Sequence, residues 1–275
     1  MSGTAASYGF LPIVSTLAWG LGYFGMPHIL LRFMAIRNED EIKVSRRIAS
    51  VWALLSMIVA IFIGIIGYSV SVVGKVPFLT TSSDSETIII QLANLMGQNG
   101  VILAVVAGVI LAGILAATMS TADSQLLAAA SSVSQDLLQD FFGVKLSSKT
   151  AMIAARCTVA AIAVVGVVLA WDPNSSVFRV VSFAWAGFGA AFGPVMLLSL
   201  FWKRSNRYGA LAGMLAGGVM VFVWKFGIAK LGGAWSIYEL LPAFIISAIA
   251  IVVVSLLTAP PEAAIIREFE RASGK

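Results

Sequence analysis

An all-α polytopic membrane protein with about seven crossings is the fold class this sequence predicts, and three observations carry it. The 275 residues are 59% hydrophobic and 11% charged, with a mean hydropathy of +0.96. Soluble domains carry roughly twice that share of charge. The apolar residues gather into runs of the ~20 residues a helix needs to cross a bilayer. Lys and Arg fall between those runs, as residues anchoring a chain to the cytoplasmic face do. The net charge of +5 is therefore read as a lipid-bilayer signal and not as a nucleic-acid footprint.

The predicted crossings are residues 9–34, 48–73, 101–127, 152–171, 180–202, 209–228 and 240–258, with the third continuing as helix to about Leu138. Residues 1–258 form one transmembrane domain and 259–275 a tail. Fourteen of the 18 Lys and Arg lie on one side: five between Arg32 and Arg47, then Lys145, Lys149, Arg156, Lys203, Arg204, Arg207, Arg267, Arg271 and Lys275. The positive-inside rule assigns that side, and with it the C-terminus, to the cytoplasm. The N-terminus then lies outside, with a span starting at once and no charged leader. That pattern predicts a chain beginning partway through a larger protein.

The first run is predicted to be broken. It reads L-A-W-G-L-G-Y-F-G-M-P over 17–27, and three glycines and a proline are poor material for a continuous helix. Interrupted helices at membrane depth form substrate and ion sites in secondary transporters, because freed backbone groups can meet ligand charges. Trp19, Tyr23 and Pro27 recur at i, i+4 and i+8 and would share a face, suited to the apolar body of a small zwitterion. A glycine-rich packing helix with an aromatic belt fits the same residues. His28, at the end of this run, reads as structural.

The longest connection on the external side is 74–100. Its second half, 86–96 (E-T-I-I-I-Q-L-A-N-L-M), reads as a short interfacial helix. The third run carries an unusual stripe, A-A-T-M-S-T-A-D-S-Q, within 112–135. At about 100° per residue, Gly113, Ala116, Ala117, Ser120, Asp123, Ser124, Ser131 and Gln135 share one face, opposite Leu111, Thr118, Ala122 and Ala129. Asp123 is the one acid set deep in an apolar run. A carboxylate there costs about 2.5–3.5 kcal/mol, so it calls for an ion, a proton or a basic residue from another helix. The oxygen donors suit a hard cation, although Ser and Thr hydroxyls are also satisfied by their own backbone or a neighbouring helix. Asp136 and Asp140, further on, read as solvated or paired with Lys145.

Residues 172–178 read as a turn. The fifth run contains A-W-A-G-F-G-A-A-F-G-P over 184–194, either a second flexible helix or a small-residue packing surface. Gly209, Gly213 and Gly217 make a doubled G-x-x-x-G, a helix-packing signal. The single cysteine, Cys157, excludes an internal disulfide. No nucleophile–base pair, His/Cys cluster or phosphate loop points to an enzyme.

The segments A-W-G-L-G-Y-F-G-M-P-H-I-L-L-R-F-M-A, A-A-T-M-S-T-A-D-S-Q-L-L and S-F-A-W-A-G-F-G-A-A-F-G-P closely resemble the sodium/solute symporters, in particular their proline-transporting branch, over about residues 16–259. The resemblance implies a partial leucine-transporter-like inverted-repeat fold, here core helices six to ten plus two peripheral helices. It implies Na⁺-coupled symport of L-proline at the cell membrane, with Na⁺ as the coupling ion. Trp19, Tyr23 and Pro27 match positions that contact proline. Ser120 and Thr121 match sodium ligands, with Ala117 giving a carbonyl. Asp123 and Ser124 fall where some members build a second cation site, one that also needs an acid from a helix this sequence lacks. The first core helix, normally half of both sites, is absent, so the missing N-terminal helices of the same symporter are an expected partner. Alternatives are a Na⁺ symporter for another amino acid, pantothenate or a carboxylate, and an inactive or sensory fragment.

Overall fold

A computed structural model describes residues 9–171 and 176–272, which form helices and no strand. The turn predicted at 172–178 lies largely outside the described residues. Six helices are long and apolar enough to cross a membrane: α3 (Glu39–Val72), α6 (Val101–Ser131), α7 (Ser148–Leu169), α8 (Val177–Phe201), α9 (Arg207–Phe226) and α10 (Leu240–Leu257). Beyond Ser131, α6 runs on through a π-helical segment, Ser132–Phe141. This is three residues past the predicted end.

The remaining expected crossing, the first in the chain, is divided. Helix α1 (Phe10–Gly22) gives way to a single 3₁₀ turn, Tyr23–Gly25, and α2 (Pro27–Met34) begins afresh. Between them Met26 is extended, at φ −82° and ψ 112°. The cause is in the sequence: Pro27 disfavours the helical region for the residue before it. Pro27 also has no N–H to return to the carbonyl of Tyr23.

The chain forms two compact units, Met1–Arg32 with Phe178–Lys275, and Phe33–Val177. In the first, Ala186, Ala190, Val221, Leu240, Ala243 and Phe244 make the core. Glycines on α9 allow α10 to approach closely. A Cβ at Gly209 would overlap Ser255, and one at Gly213 would overlap Ile251. The hydroxyl of Ser247 donates to Gly213 C=O at 2.9 Å. Gly217 serves α8 instead. Pro194 lies inside α8 and leaves Ala190 C=O without its usual i+4 donor. That carbonyl is the group nearest Gly217. Gly209 and Gly213 pack against side chains of α10 and Gly217 against backbone of α8, which is the packing role predicted for the doubled G-x-x-x-G. Helix α8 is continuous.

Asn206 caps α9, accepting from Gly209 N–H at 2.8 Å. Its amide donates to Thr258 Oγ1 (2.8 Å) and Ala259 O (2.7 Å), which fixes the end of α10. The tail predicted at 259–275 holds a further helix, α11 (Ala263–Ala272), with Glu270 3.9 Å from Lys203.

In the second unit, Asn38 caps α3 by accepting from Asp40 N–H, and Glu39, Asp40 and Glu41 fill its first turn, where acids complement the helix dipole. The interfacial helix expected at 86–96 is α5 (Ile88–Gly97), preceded by the short α4 (Ser82–Glu86). Thr81 and Asp84 close a capping box on α4. Gly67 of α3 lets Ile88 of α5 approach, since a Cβ there would overlap that side chain. Glu86 accepts from Ser176 Oγ at 2.7 Å and from Val177 N–H at 3.1 Å. Most large apolar side chains of α3 and α7 are exposed, as lipid-facing residues are. Neither Asp136 nor Asp140 is ion-paired among the described residues; Cys157 is exposed.

Candidate functional site

The residues singled out in the sequence form two sets, one in each unit. The first is built around the break between α1 and α2. Trp19, one turn before the break, has its ring stacked among three others. Phe178 lies at 5.3 Å and 17°, Trp185 at 5.5 Å and 24°, and Tyr238 at 6.1 Å and 15°. Tyr23 meets Trp185 edge-on at 4.8 Å and 83°. Such geometries are the ones aromatic quadrupoles favour.

The break also exposes backbone. Tyr23 N–H, the ordinary i+4 donor to Trp19 C=O, turns instead to Leu21 C=O. The Trp185 indole N–H takes its place on Trp19 C=O at 3.0 Å. This fit needs Gly22, because a Cβ there would overlap the Trp185 indole. Gly25 lies against the Phe188 carbonyl, with Gly189 Cα 2.8 Å from where its Cβ would be. Two glycines of the first run are thus close-packing positions, and Gly20 has nothing within 4 Å. Both readings of that run hold at once: the helix is broken, and its glycines pack.

Trp19 and Tyr23 are brought together through Trp185. Pro27 opens α2 and is exposed. Tyr23 is 51% exposed, so the phenol is available to a ligand. Tyr238, which sequence reasoning missed, is half-buried. Its hydroxyl donates to Ser182 C=O at 2.6 Å and its N–H to Ser15 Oγ at 3.1 Å. Burial, with the Glu239 carboxylate beside it, pushes that phenol above the ordinary tyrosine range. Glu239 itself is buried and accepts from Lys225 Nζ at 2.8 Å.

The second set lies on α6. The Thr121 hydroxyl donates to Ala117 C=O at 3.2 Å, and Ser124 donates to Ser120 C=O at 3.0 Å. Ser120 and Thr121 are exposed and Ser124 is half-buried. Asp123, expected to be deep in its run, is exposed on its own unit and bonds to no described residue. Helices α5 and α7 pack on α6, yet the oxygen-bearing stripe is not the surface they cover.

A helical, multi-pass membrane protein whose first apolar run is broken beneath an aromatic cluster is the class these features define. The family model described as "Sodium:solute symporter family" matches residues 6–217, and the chain belongs to that family. Over 263 residues it is 43% identical to the high-affinity proline transporter PutP of Bacillus subtilis (strain 168), covering 94% of this chain and 52% of the relative. The osmoregulated proline transporter OpuE of the same organism is 43% identical over 260 residues, 94% and 50% respectively. The sodium/proline symporter of Escherichia coli (strain K12) is 41% identical over 267 residues, 96% and 50%. The chain therefore spans about half the length of the curated relatives it matches. No solved structure matches it.

Proposed function

We propose that this chain supplies the second half of a Na⁺-coupled L-proline symporter of the cell membrane, working by alternating access. One observation carries the reading: an aromatic-sheathed helix break, with Trp19 and Tyr23 at it, in a chain whose relatives are named proline transporters. Trp19, Tyr23 and Pro27 contact proline, the two aromatic residues holding its apolar ring, and Pro27 also keeps the backbone before α2 out of helical register. Ser120, Thr121 and the Ala117 carbonyl offer uncharged oxygens to Na⁺, with Asp123 and Ser124 adjacent as a second cation or coupling position. The missing first-half helices complete both sites. The C-terminus is cytoplasmic, following the asymmetry of Lys and Arg.

External Na⁺ binding favours the conformation with higher proline affinity, and proline in turn raises affinity for Na⁺ by the same factor. One charge moving through 100 mV supplies about 2.3 kcal/mol, enough for a roughly 50-fold proline gradient. The test is uptake of labelled proline by cells lacking their own proline uptake, expressing this chain joined to the first half of the Bacillus subtilis relative. Uptake is expected to collapse when K⁺ replaces Na⁺. Unlabelled proline should compete, and pantothenate, other amino acids and carboxylates should not. S120A and T121A should raise the Na⁺ half-saturation concentration at least tenfold, and D123N less than twofold. Proline uptake indifferent to Na⁺ sinks the reading.

A further inference from the structure

The helix break is held from an unexpected direction. Between α9 and α10 the chain passes through two 3₁₀ turns, Ile228–Leu231 and Gly233–Ser236, and the next four residues are each tied down. Ile237 C=O accepts from the Trp224 indole at 3.2 Å. Tyr238 stacks on Trp19 while its hydroxyl and N–H reach Ser182 and Ser15. Glu239, 4% exposed, is paired with Lys225 at 2.8 Å. Leu240 is fully buried, its Cδ1 2.9 Å from where a Cβ on Gly189 would stand. A buried carboxylate persists only with a counter-charge and good geometry, because removing it from water is costly. Lys225, in the last turn of α9, provides that charge and fixes where residue 238 sits.

We infer that Tyr238 is a positioning residue for Trp19, and that the Lys225–Glu239 ion pair sets it there. The solute-facing aromatic on α1 is thereby tuned from the α9–α10 connection. The link to solute rests on the proposed function of Trp19; the positioning itself does not. Three rings flank Trp19. Phe178 and Trp185 come from α8, and Tyr238 comes from the α9–α10 connection, next to the Lys225–Glu239 pair. An aromatic pair alters an equilibrium by a few-fold to about tenfold, so its loss reads as a change in solute affinity more than in turnover.

Two measurements test this. The chain has seven tryptophans, so the 275-residue protein labelled with 5-fluorotryptophan in detergent gives a countable ¹⁹F spectrum, with Trp19 assigned by its loss in W19F. Y238A should shift and broaden the Trp19 signal, and Y238F should shift it less. K225E and E239K should each shift it, and the K225E/E239K swap should return it toward its original position. A Trp19 signal unmoved by Y238A, or unmoved by both single charge reversals, overturns the inference whatever happens to transport. In the joined symporter, Y238A should raise the KM for proline about five- to tenfold with Vmax per molecule at the membrane within twofold. Y238F should fall between it and the parent. The Na⁺ half-saturation should not change. Should W19A raise KM while Y238A does not, the positioning claim fails and the solute assignment stands. Should W19A leave KM unchanged while Y238A moves the ¹⁹F signal, the solute assignment fails and the positioning stands. A variant that only lowers the amount of protein in the membrane, with parental KM and parental Trp19 shift in what remains, counts against the inference.

Discussion

Replacing Gly217 with alanine adds one methyl where α8, α9 and α10 converge. That methyl would stand 2.7 Å from the Ala190 carbonyl carbon, closer still to its oxygen, and 3.0 Å from Ser247 Cβ. The atoms it meets first are backbone of a helix anchored in the core, so no rotamer change relieves the contact. Overpacking of this kind costs about 1–3 kcal/mol, and a backbone obstacle puts Gly217→Ala at the upper end. At roughly 2–4 °C per kcal/mol for chains near this size, the expected loss is about 6–12 °C. Gly218 provides the control, since nothing lies within 4 Å of its Cβ position. Gly218→Ala should be neutral or favourable, because alanine is about 1 kcal/mol the better helix former. The assay is the apparent unfolding midpoint of detergent-solubilised protein at one fixed heating rate, since such unfolding is often irreversible and rate-dependent. Equal midpoints for the two variants would refute the argument that Ala190 C=O and Gly217 are fitted to each other.

Two further outcomes are expected. Trp185→Phe keeps the ring beside Trp19 and deletes the N–H that satisfies Trp19 C=O. It should cost about 1 kcal/mol and speed amide exchange over 21–26, measurable by mass spectrometry; unchanged exchange would mean the indole bond does not hold the break. Asp84, in the connection between α3 and α6, has its carboxyl held below the ordinary range by hydrogen bonds, first from Thr81 and then from Thr80. A lowered folded-state value means the contribution is complete above the unfolded value of about 4 and fades as pH falls through the folded one. The amide shifts of Thr80 and Thr81 should therefore titrate with a midpoint below about 4, and D84N should abolish that titration. A midpoint at or above 4 counts against the capping box.

Most of the architecture could be read from the chain because lipid leaves so few options. Runs of apolar residues long enough to cross became helices within a few residues of their predicted ends, except α3, which begins at Glu39 where the crossing was expected from 48, and Pro27 marked the break through its effect on Met26. The doubled G-x-x-x-G on α9 announced a packing face. What that motif could not say is which neighbour each glycine serves, because this depends on an orphaned carbonyl in α8. Of the aromatic cluster, Trp19, Tyr23 and Trp185 lay in legible motifs. Tyr238 and the Lys225–Glu239 pair did not, since Tyr238 and Glu239 sit in a connection without periodicity and meet partners 223 and 14 residues away. The exposure of Asp123 on its unit was not legible for a different reason. Depth within an apolar run is a property of the sequence, whereas burial depends on which face the neighbouring helices cover.

The hydroxyls on α6 carry one more consequence. Thr121 and Ser124 each give their single proton to a carbonyl four residues back. A hydroxyl has one hydrogen and two lone pairs, so once its hydrogen is turned inward, only electron pairs remain for a visitor. These two side chains make a patch that can accept and cannot donate, polarised without any formal charge of its own. It repels anions and offers nothing to a carbonyl, and what it can welcome is an electropositive centre.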